Sequence, residues 1–286
     1  RIGYNHTIAN PTFREKSIAQ IFDPISSRTF IGNVDLEQTQ IKNYDARLEY
    51  FMQRGEVISV SGFYKQFSGH IELVPFETAP DNLKPRNSGE SDLFGIELEL
   101  RKSLSSISSK LSNFSFGANF TLVNSRMDVS TIKVSNAGSG NTEWDSRIAA
   151  AREGETVSKF RPMSGQAPFM INANVSYSDK EKGLNVNGSY NVQGKTLTIV
   201  GVGLVPDVYT QPFHSLNMKI SKSINEKFQL SLKGTNLLNS SKLQSFESFE
   251  YQPDVPAVFS LLNPGRTFSM SISLKFNGSK KASIEE

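Results

Sequence analysis

The feature that most constrains this chain is an alternation of apolar and polar residues with a period of two, repeated in ten separate stretches. In Gly95–Arg101, Ile96, Leu98 and Leu100 fall on one side and Glu97, Glu99 and Arg101 on the other. Phe114–Val123, Phe169–Tyr177, Leu184–Tyr190, Ser215–Ser221, Phe228–Lys233 and Thr267–Phe276 follow the same rule. Ile2–Ile8, Tyr44–Gln53 and Val57–Phe67 follow it more loosely. Successive side chains of a strand point to opposite faces, so each stretch predicts a strand with one oily and one moist side. Most are about nine to eleven residues long, which suits a tilted strand crossing a bilayer better than the five or six residues usual in soluble sheets.

The spacing between these strands alternates strictly. Gaps of roughly 3–11 residues follow gaps of roughly 22–43, so the chain turns back tightly at one end and loosely at the other. A soluble sandwich has no reason to keep every long connection at one end, whereas outer-membrane barrels pair short turns with long outer loops. Aromatic residues gather near strand ends, at Tyr44 and Tyr50, Phe63 and Phe67, Phe94, Phe114, Phe160, Phe169, Tyr177, Tyr190, Phe213, Phe228, Phe268 and Phe276. That placement fits two interfacial girdles, although aromatic residues are also ordinary strand formers. The expected fold class is all-β, an antiparallel transmembrane barrel over residues 1–276 with a polar tail at 277–286.

Composition closes off other classes. Ser and Asn supply about 60 of the 286 positions, and helix-forming runs are scarce. No Cys is present, which excludes disulfides, thiolate metal sites and cysteine nucleophiles. The net charge is +3 with Lys and Arg scattered, so nothing points to nucleic acid. No run of 18 apolar residues occurs, which rules out helical membrane spans, and the mean hydropathy of −0.35 says nothing against strands, whose two faces average out.

Several segments, in order and spacing, are similar to those of one family. Thr7-Ile8-Ala9-Asn10-Pro11-Thr12-Phe13-Arg14-Glu15, Asn43-Tyr44-Asp45-Ala46-Arg47, Phe63-Tyr64-Lys65, Gly165-Gln166-Ala167-Pro168-Phe169, Asn236-Leu237-Leu238-Asn239 and Pro264-Gly265-Arg266 resemble strand and turn motifs in the C-terminal half of TonB-dependent outer-membrane receptors of the Bacteroidetes type. Asn10 stands where Arg is common in that family. The resemblance implies about ten C-terminal strands of a barrel of about 22, filled by a plug from the N-terminal part. It also implies a bacterial outer-membrane location, contact with lipid, and coupling to the TonB complex through that plug. The implied function is energised uptake of a scarce, large solute, of siderophore, oligosaccharide or peptide class, and no enzymatic activity. A self-closed ten-strand barrel, a non-transporting surface or assembly barrel that binds a protein partner, and a passive pore stay open as alternatives.

Catalytic and cofactor patterns are lacking. Gly188, Gly194, Lys195 and Thr196 have the wrong spacing for a phosphate loop, and Gly201-Val202-Gly203 lacks a third glycine and a following helix. His6, His70 and His214 show no metal-ligand spacing, so neither cofactor nor metal is expected. The long connection from Arg126 to Arg161 holds the single tryptophan, and Trp144, Asp145, Arg147 and Arg152 are the candidate ligand-contact residues there. The same surface could instead meet a lipoprotein partner. Glu97, Glu99 and Arg101 are the candidate lumen-facing residues.

Overall fold

The computed structural model describes residues 1–24, 27–53, 55–76, 78–134, 142–151, 153–154, 156–203, 205–247 and 257–275. In chain order the first part contains β1 (Ile2–Ala9), α1 (Phe13–Lys16), β2 (Gln20–Asp23), β3 (Arg28–Ile31), β4 (Thr39–Phe51), β5 (Val57–Ser68), β6 (Ile71–Phe76), β7 (Ala79–Asn87), β8 (Ser91–Ser103) and β9 (Phe114–Asp128). The second contains α2 (Glu143–Ala150), β10 (Phe160–Arg161), β11 (Phe169–Asp179), β12 (Leu184–Gln193), β13 (Thr196–Ile199), β14 (Asp207–Thr210), β15 (Ser215–Ser223), β16 (Phe228–Thr235), β17 (Lys242–Glu247), β18 (Ala257–Leu262) and β19 (Thr267–Leu274). Among the described residues no helix is long and apolar enough to cross a membrane.

All ten strands read from the alternation are present, and they pair in one sheet, the wall, in the order β1-β4-β5-β8-β9-β11-β12-β15-β16-β19. Every neighbouring pair in the wall is antiparallel, and the two-residue β10 adds to β9. Several strands run further than the alternation shows. β8 begins at Ser91 rather than Gly95, and β4 begins at Thr39. The sheet is open, since among the described residues β1 pairs only with β4 and β19 only with β16. That geometry removes the self-closed alternative. Phe276 and the tail expected at 277–286 lie outside the described residues.

The two faces differ as the pattern demands. Ile96 and Leu98 share a face with Tyr4, Tyr44, Tyr64, Val175, Ile220, Met270 and Ile272, and all are exposed. Polar residues fill the opposite face and bond across strands: Asn43 donates to Asn5 (2.8 Å), Asn172 to Asn119 (2.7 Å) and Asn187 to Ser176 (2.7 Å). Two members of the expected girdle belong to this inner face instead. Phe63 lies over Gly95, where any Cβ would sit 2.5 Å from the ring and 2.5 Å from the Leu122 carbonyl, and Phe67 packs on a buried cluster. Ring size alone does not tell an interfacial phenylalanine from one that fills space beside a glycine.

The long connections, expected as loops, hold most of the remaining structure and form a cap at one end of the wall. One four-stranded sheet runs β2-β3-β7-β6, with β3 and β7 parallel, and a second runs β13-β14-β17-β18. Val74, Leu197 and Val200 pack together between them, and Leu83, Ile199 and Val208 form a second cluster. A third cluster, of Leu93, Met127, Val129, Ile132 and Met163, ties the cap to the inner face of the wall. Each fully buried aliphatic side chain contributes about 1.5–3 kcal/mol, so these small sheets have cores of their own.

Candidate functional site

At the centre of the cap lies an ion cluster with three guanidinium groups and three carboxylates. Arg161 on β10 donates from Nε to Glu143 Oε1 (2.8 Å) and from Nη2 to both oxygens of Glu72 on β6 (2.8 Å each). Arg147 donates to Asp207 on β14 through both terminal nitrogens (3.1 and 3.0 Å) and to Glu143 through Nε (2.9 Å). Arg86 on β7 bridges Glu72 and Glu143. Asp207 also accepts the Gly201 backbone N–H (2.7 Å). The six formal charges sum to zero, and paired, hydrogen-bonded ions are the form in which charge tolerates burial. Burial pushes the Glu143 carboxyl up, but Arg161, Arg86 and Arg147 outweigh it and bring it from an ordinary 4.5 down to about 2.

The cluster joins connections that are far apart in sequence. Glu72 and Arg86 lie between β5 and β8, Glu143, Arg147 and Arg161 between β9 and β11, and Asp207 between β12 and β15. The β3–β7 pairing adds the connection between β1 and β4, and β14–β17 adds the one between β16 and β19. All five long connections are therefore stitched into one body.

Three of the four ligand-contact candidates fall on or in α2. Trp144 is half-buried against the third apolar cluster, donates from Nε1 to the Val157 carbonyl (3.3 Å) and carries Lys159 over its ring at 4.6 Å. Asp145 closes a capping box, accepting from the Thr142 N–H (2.8 Å) while its own N–H donates to Thr142 Oγ1 (3.2 Å). Arg147 is buried in the ion cluster. Arg152 lies outside the described residues. The lumen-facing candidates share the inner side of β8: Glu99 accepts from Arg47 (2.7 Å) and Arg101 (2.9 Å), and Glu97 lines a cavity of about 270 Å³ with Asp45, Arg47 and Lys65.

Sequence reasoning missed Glu72, Arg86, Glu143, Arg161 and Asp207, because ion partners up to 89 residues apart leave no local pattern. The Thr142-x-x-Asp145 capping box was a readable signal for α2. Also unforeseen is a cleft of about 380 Å³ in the cap, whose described lining includes Lys84, Arg86 and Lys133 with Asn33 and Phe76, and no carboxylate. Of the three histidines, His6 is exposed, His70 is within hydrogen-bond distance of the Ser164 carbonyl (3.2 Å), and His214 Nδ1 meets the Tyr190 hydroxyl (2.6 Å). Burial keeps the His70 ring below the usual histidine range. Among the described residues no cluster could hold a metal ion.

Residues 1–237 match the family model described as TonB dependent receptor-like, beta-barrel. No curated protein matches the chain significantly. Among solved structures, a variant of the ferric enterobactin receptor PfeA from Pseudomonas aeruginosa superposes with a TM-score of 0.55 at 13% identity, over 96% of this chain and 38% of that one. The copper transporter OprC gives 0.55 at 14% identity, over 96% and 37%. The ferric yersiniabactin uptake receptor FyuA from Yersinia pestis gives 0.53 at 15% identity, over 96% and 34%. At such identities the likeness is one of fold, and the chain spans little more than a third of the structures it matches.

Proposed function

The chain belongs to the TonB-dependent receptor β-barrel family of the bacterial outer membrane, a family of receptors and transporters rather than enzymes, and from that premise we propose that it supplies wall and outer cap for energised uptake of a scarce, large solute. The cap makes first contact with the solute. The polar inner face lines the route, and a plug engaged by the TonB complex opens it. Supporting this division of labour, one face of the sheet carries both the cap and the polar ladder, while the opposite face is apolar and meets lipid.

The observation that carries the solute class is the cap cleft, where Lys84 and Lys133 line the cavity beside Arg86, whose charge Glu72 and Glu143 already balance, and no carboxylate is among the described lining residues. Such a surface favours an anionic solute over a neutral oligosaccharide or a cationic peptide. Two of the three structures compared are named for ferric siderophores, which fits an anionic metal chelate. The test is titration of the intact receptor with a ferric catecholate, a neutral maltooligosaccharide and a basic peptide, following Trp144 fluorescence. The ferric chelate is expected to bind most tightly, and Lys84→Glu with Lys133→Glu to weaken it roughly tenfold or more, as losing two favourable charges predicts. Tighter binding of the neutral sugar, or an unchanged chelate affinity in the double variant, would remove the anionic reading.

A second reading, a surface barrel that holds a lipoprotein or another protein partner, is favoured by one feature. Phe13, Ile18 and Phe22, all in the connection between β1 and β4, are widely exposed. Copurification of a stoichiometric partner lost on Phe13→Ser and Phe22→Ser would support it.

A further inference from the structure

Three adjacent strands of the wall carry an outward patch whose charges are left open. Towards the cap, the register sets Lys42 of β4, Gln66 of β5 and Asp92 of β8 in one row, with Glu90 two residues nearer the cap on β8. Asp92 accepts from the Tyr64 hydroxyl and Glu90 from the Ser68 hydroxyl (2.7 Å each). Among the described residues neither carboxylate meets a cation, and Lys42 forms no ion pair. Lys42 and Asp92 stand two strand spacings apart, about 9.6 Å, with Gln66 between them. A cavity of about 680 Å³ opens over this row. The next outward row away from the cap is aromatic, Tyr44, Tyr64 and Phe94, and beyond it Ala46 and Gly62 stand side by side at mid-wall. A Cβ at Gly62 would meet no described atom within 4 Å, and its backbone is not left-handed, so nothing in the chain itself calls for glycine there.

The order of these residues is self-complementary. A two-fold axis along the membrane normal, passing in front of β5, turns β4 of one copy towards β8 of the other. Lys42 then meets the Asp92 and Glu90 end of β8 twice, once from each side, and Gln66 meets its own copy on the axis. Barrel walls curve away from each other, which confines such a contact to about three strands, the width over which this order holds. Lipid-facing surfaces gain no hydrophobic drive from meeting, so close packing and polar pairing have to hold them. Ala46 and Gly62 let the two walls approach at mid-depth, and the crossed charges satisfy the row above. The opposite flank offers no equivalent: the outward residues near the cap on β11, β12 and β15 are Phe169, Tyr190 and Leu216, all uncharged. We infer that the outward face of β4, β5 and β8 is a contact between two copies of the receptor lying side by side in the membrane, with Lys42 of each copy paired to Asp92 or Glu90 of the other. The contact leaves the inner face and the cap cleft free, so it is independent of the transported solute.

The test uses the intact receptor in outer-membrane fragments, with cysteines introduced one at a time into a chain whose 286 residues hold none and the wild type as the blank. Only a residue at the axis meets itself. Gln66→Cys is expected to form a disulfide-linked species of twice the receptor mass, and Val175→Cys, exposed on the same face of the other flank, to form none. In detergent, Lys42→Glu is expected to raise the dissociation constant of the dimer roughly tenfold, because like charges then face one another, and Lys42→Glu combined with Glu90→Lys and Asp92→Lys to restore it. Unaltered heat-modifiable migration of each variant establishes that its barrel is folded. Equal cross-linking of Gln66→Cys and Val175→Cys would overturn the inference, as would a cross-linked mass that is the receptor with a different protein. An unchanged constant in folded Lys42→Glu, or a folded triple variant no tighter than Lys42→Glu, would overturn it too. Should the charge variants not fold, the two cysteine variants still decide.

Discussion

In the wall Leu48 is 79% exposed and Phe268 72%, whereas in the cap Val74 is 1% exposed and Val200 0%; the ions run the opposite way, with the Arg101 side chain 63% exposed and that of Glu72 fully enclosed. Both regions are β-sheet, and both draw on Val, Ile, Leu, Arg and Glu. The solvent makes the difference. The wall turns one face to hydrocarbon and a polar face to the barrel interior, so its apolar groups point away from the inner face. The cap stands in water, so it needs a dry interior, and it encloses charge only where the counter-charges are complete.

The largest effect expected from that contrast is at Arg161. Arg161→Met leaves Glu72 and Glu143 enclosed with one cation fewer, which costs about 3–5 kcal/mol. Hydrogen exchange should quicken in β6, β7, α2 and β14 and stay level in β4 and β5; equal loosening of both would mean that the regions are not separate. In the wall the matching test is a pair. Leu98→Arg places a cation against acyl chains at about 2–4 kcal/mol, while Glu99→Arg stays on the polar inner face and is expected to cost less. The folded fraction by heat-modifiable migration reads both, and equal damage would show the two faces to be alike.

Acid probes the cap more gently. The Glu143 carboxyl is lower in the folded cap than in the unfolded chain, so its contribution is complete above an ordinary 4.5 and is lost as pH falls through about 2. About 2 kcal/mol should be gone at pH 3. Cap amides, corrected for intrinsic exchange rate, should therefore open on acidification ahead of the wall, and Glu143→Gln should flatten that pH dependence. Smallest of all, Thr142→Ala removes the cap of α2 for about 1 kcal/mol, with faster exchange confined to that helix.

The wall was legible because one rule, period two, repeats over strands long enough to average out exceptions. Its exceptions are local: Phe63 turns inward because Gly95 leaves room for a ring, which a pattern of ring positions cannot reveal. The cap was not legible for two reasons. Strands such as Thr196–Ile199 are four residues long with neighbours on both faces, so no alternation survives. The ion cluster depends on residues that only the finished fold brings together. Trp144 and Arg147 stood out in the sequence for their chemistry, yet one packs on an apolar cluster and the other balances Asp207 and Glu143. The Lys84 and Lys133 cleft draws on separate connections and had no motif of its own.

Stitching the five long connections together has a consequence for how such proteins diversify. A single connection cannot be traded for that of a relative without stranding its counterparts: importing a foreign segment in place of 129–168 would take Arg147 from Asp207 and leave Glu72 and Arg86 with only each other. New solute preferences should then arise either by point changes on the rim of the cleft or by wholesale replacement of all five segments, and single-segment chimaeras should be the rarest survivors.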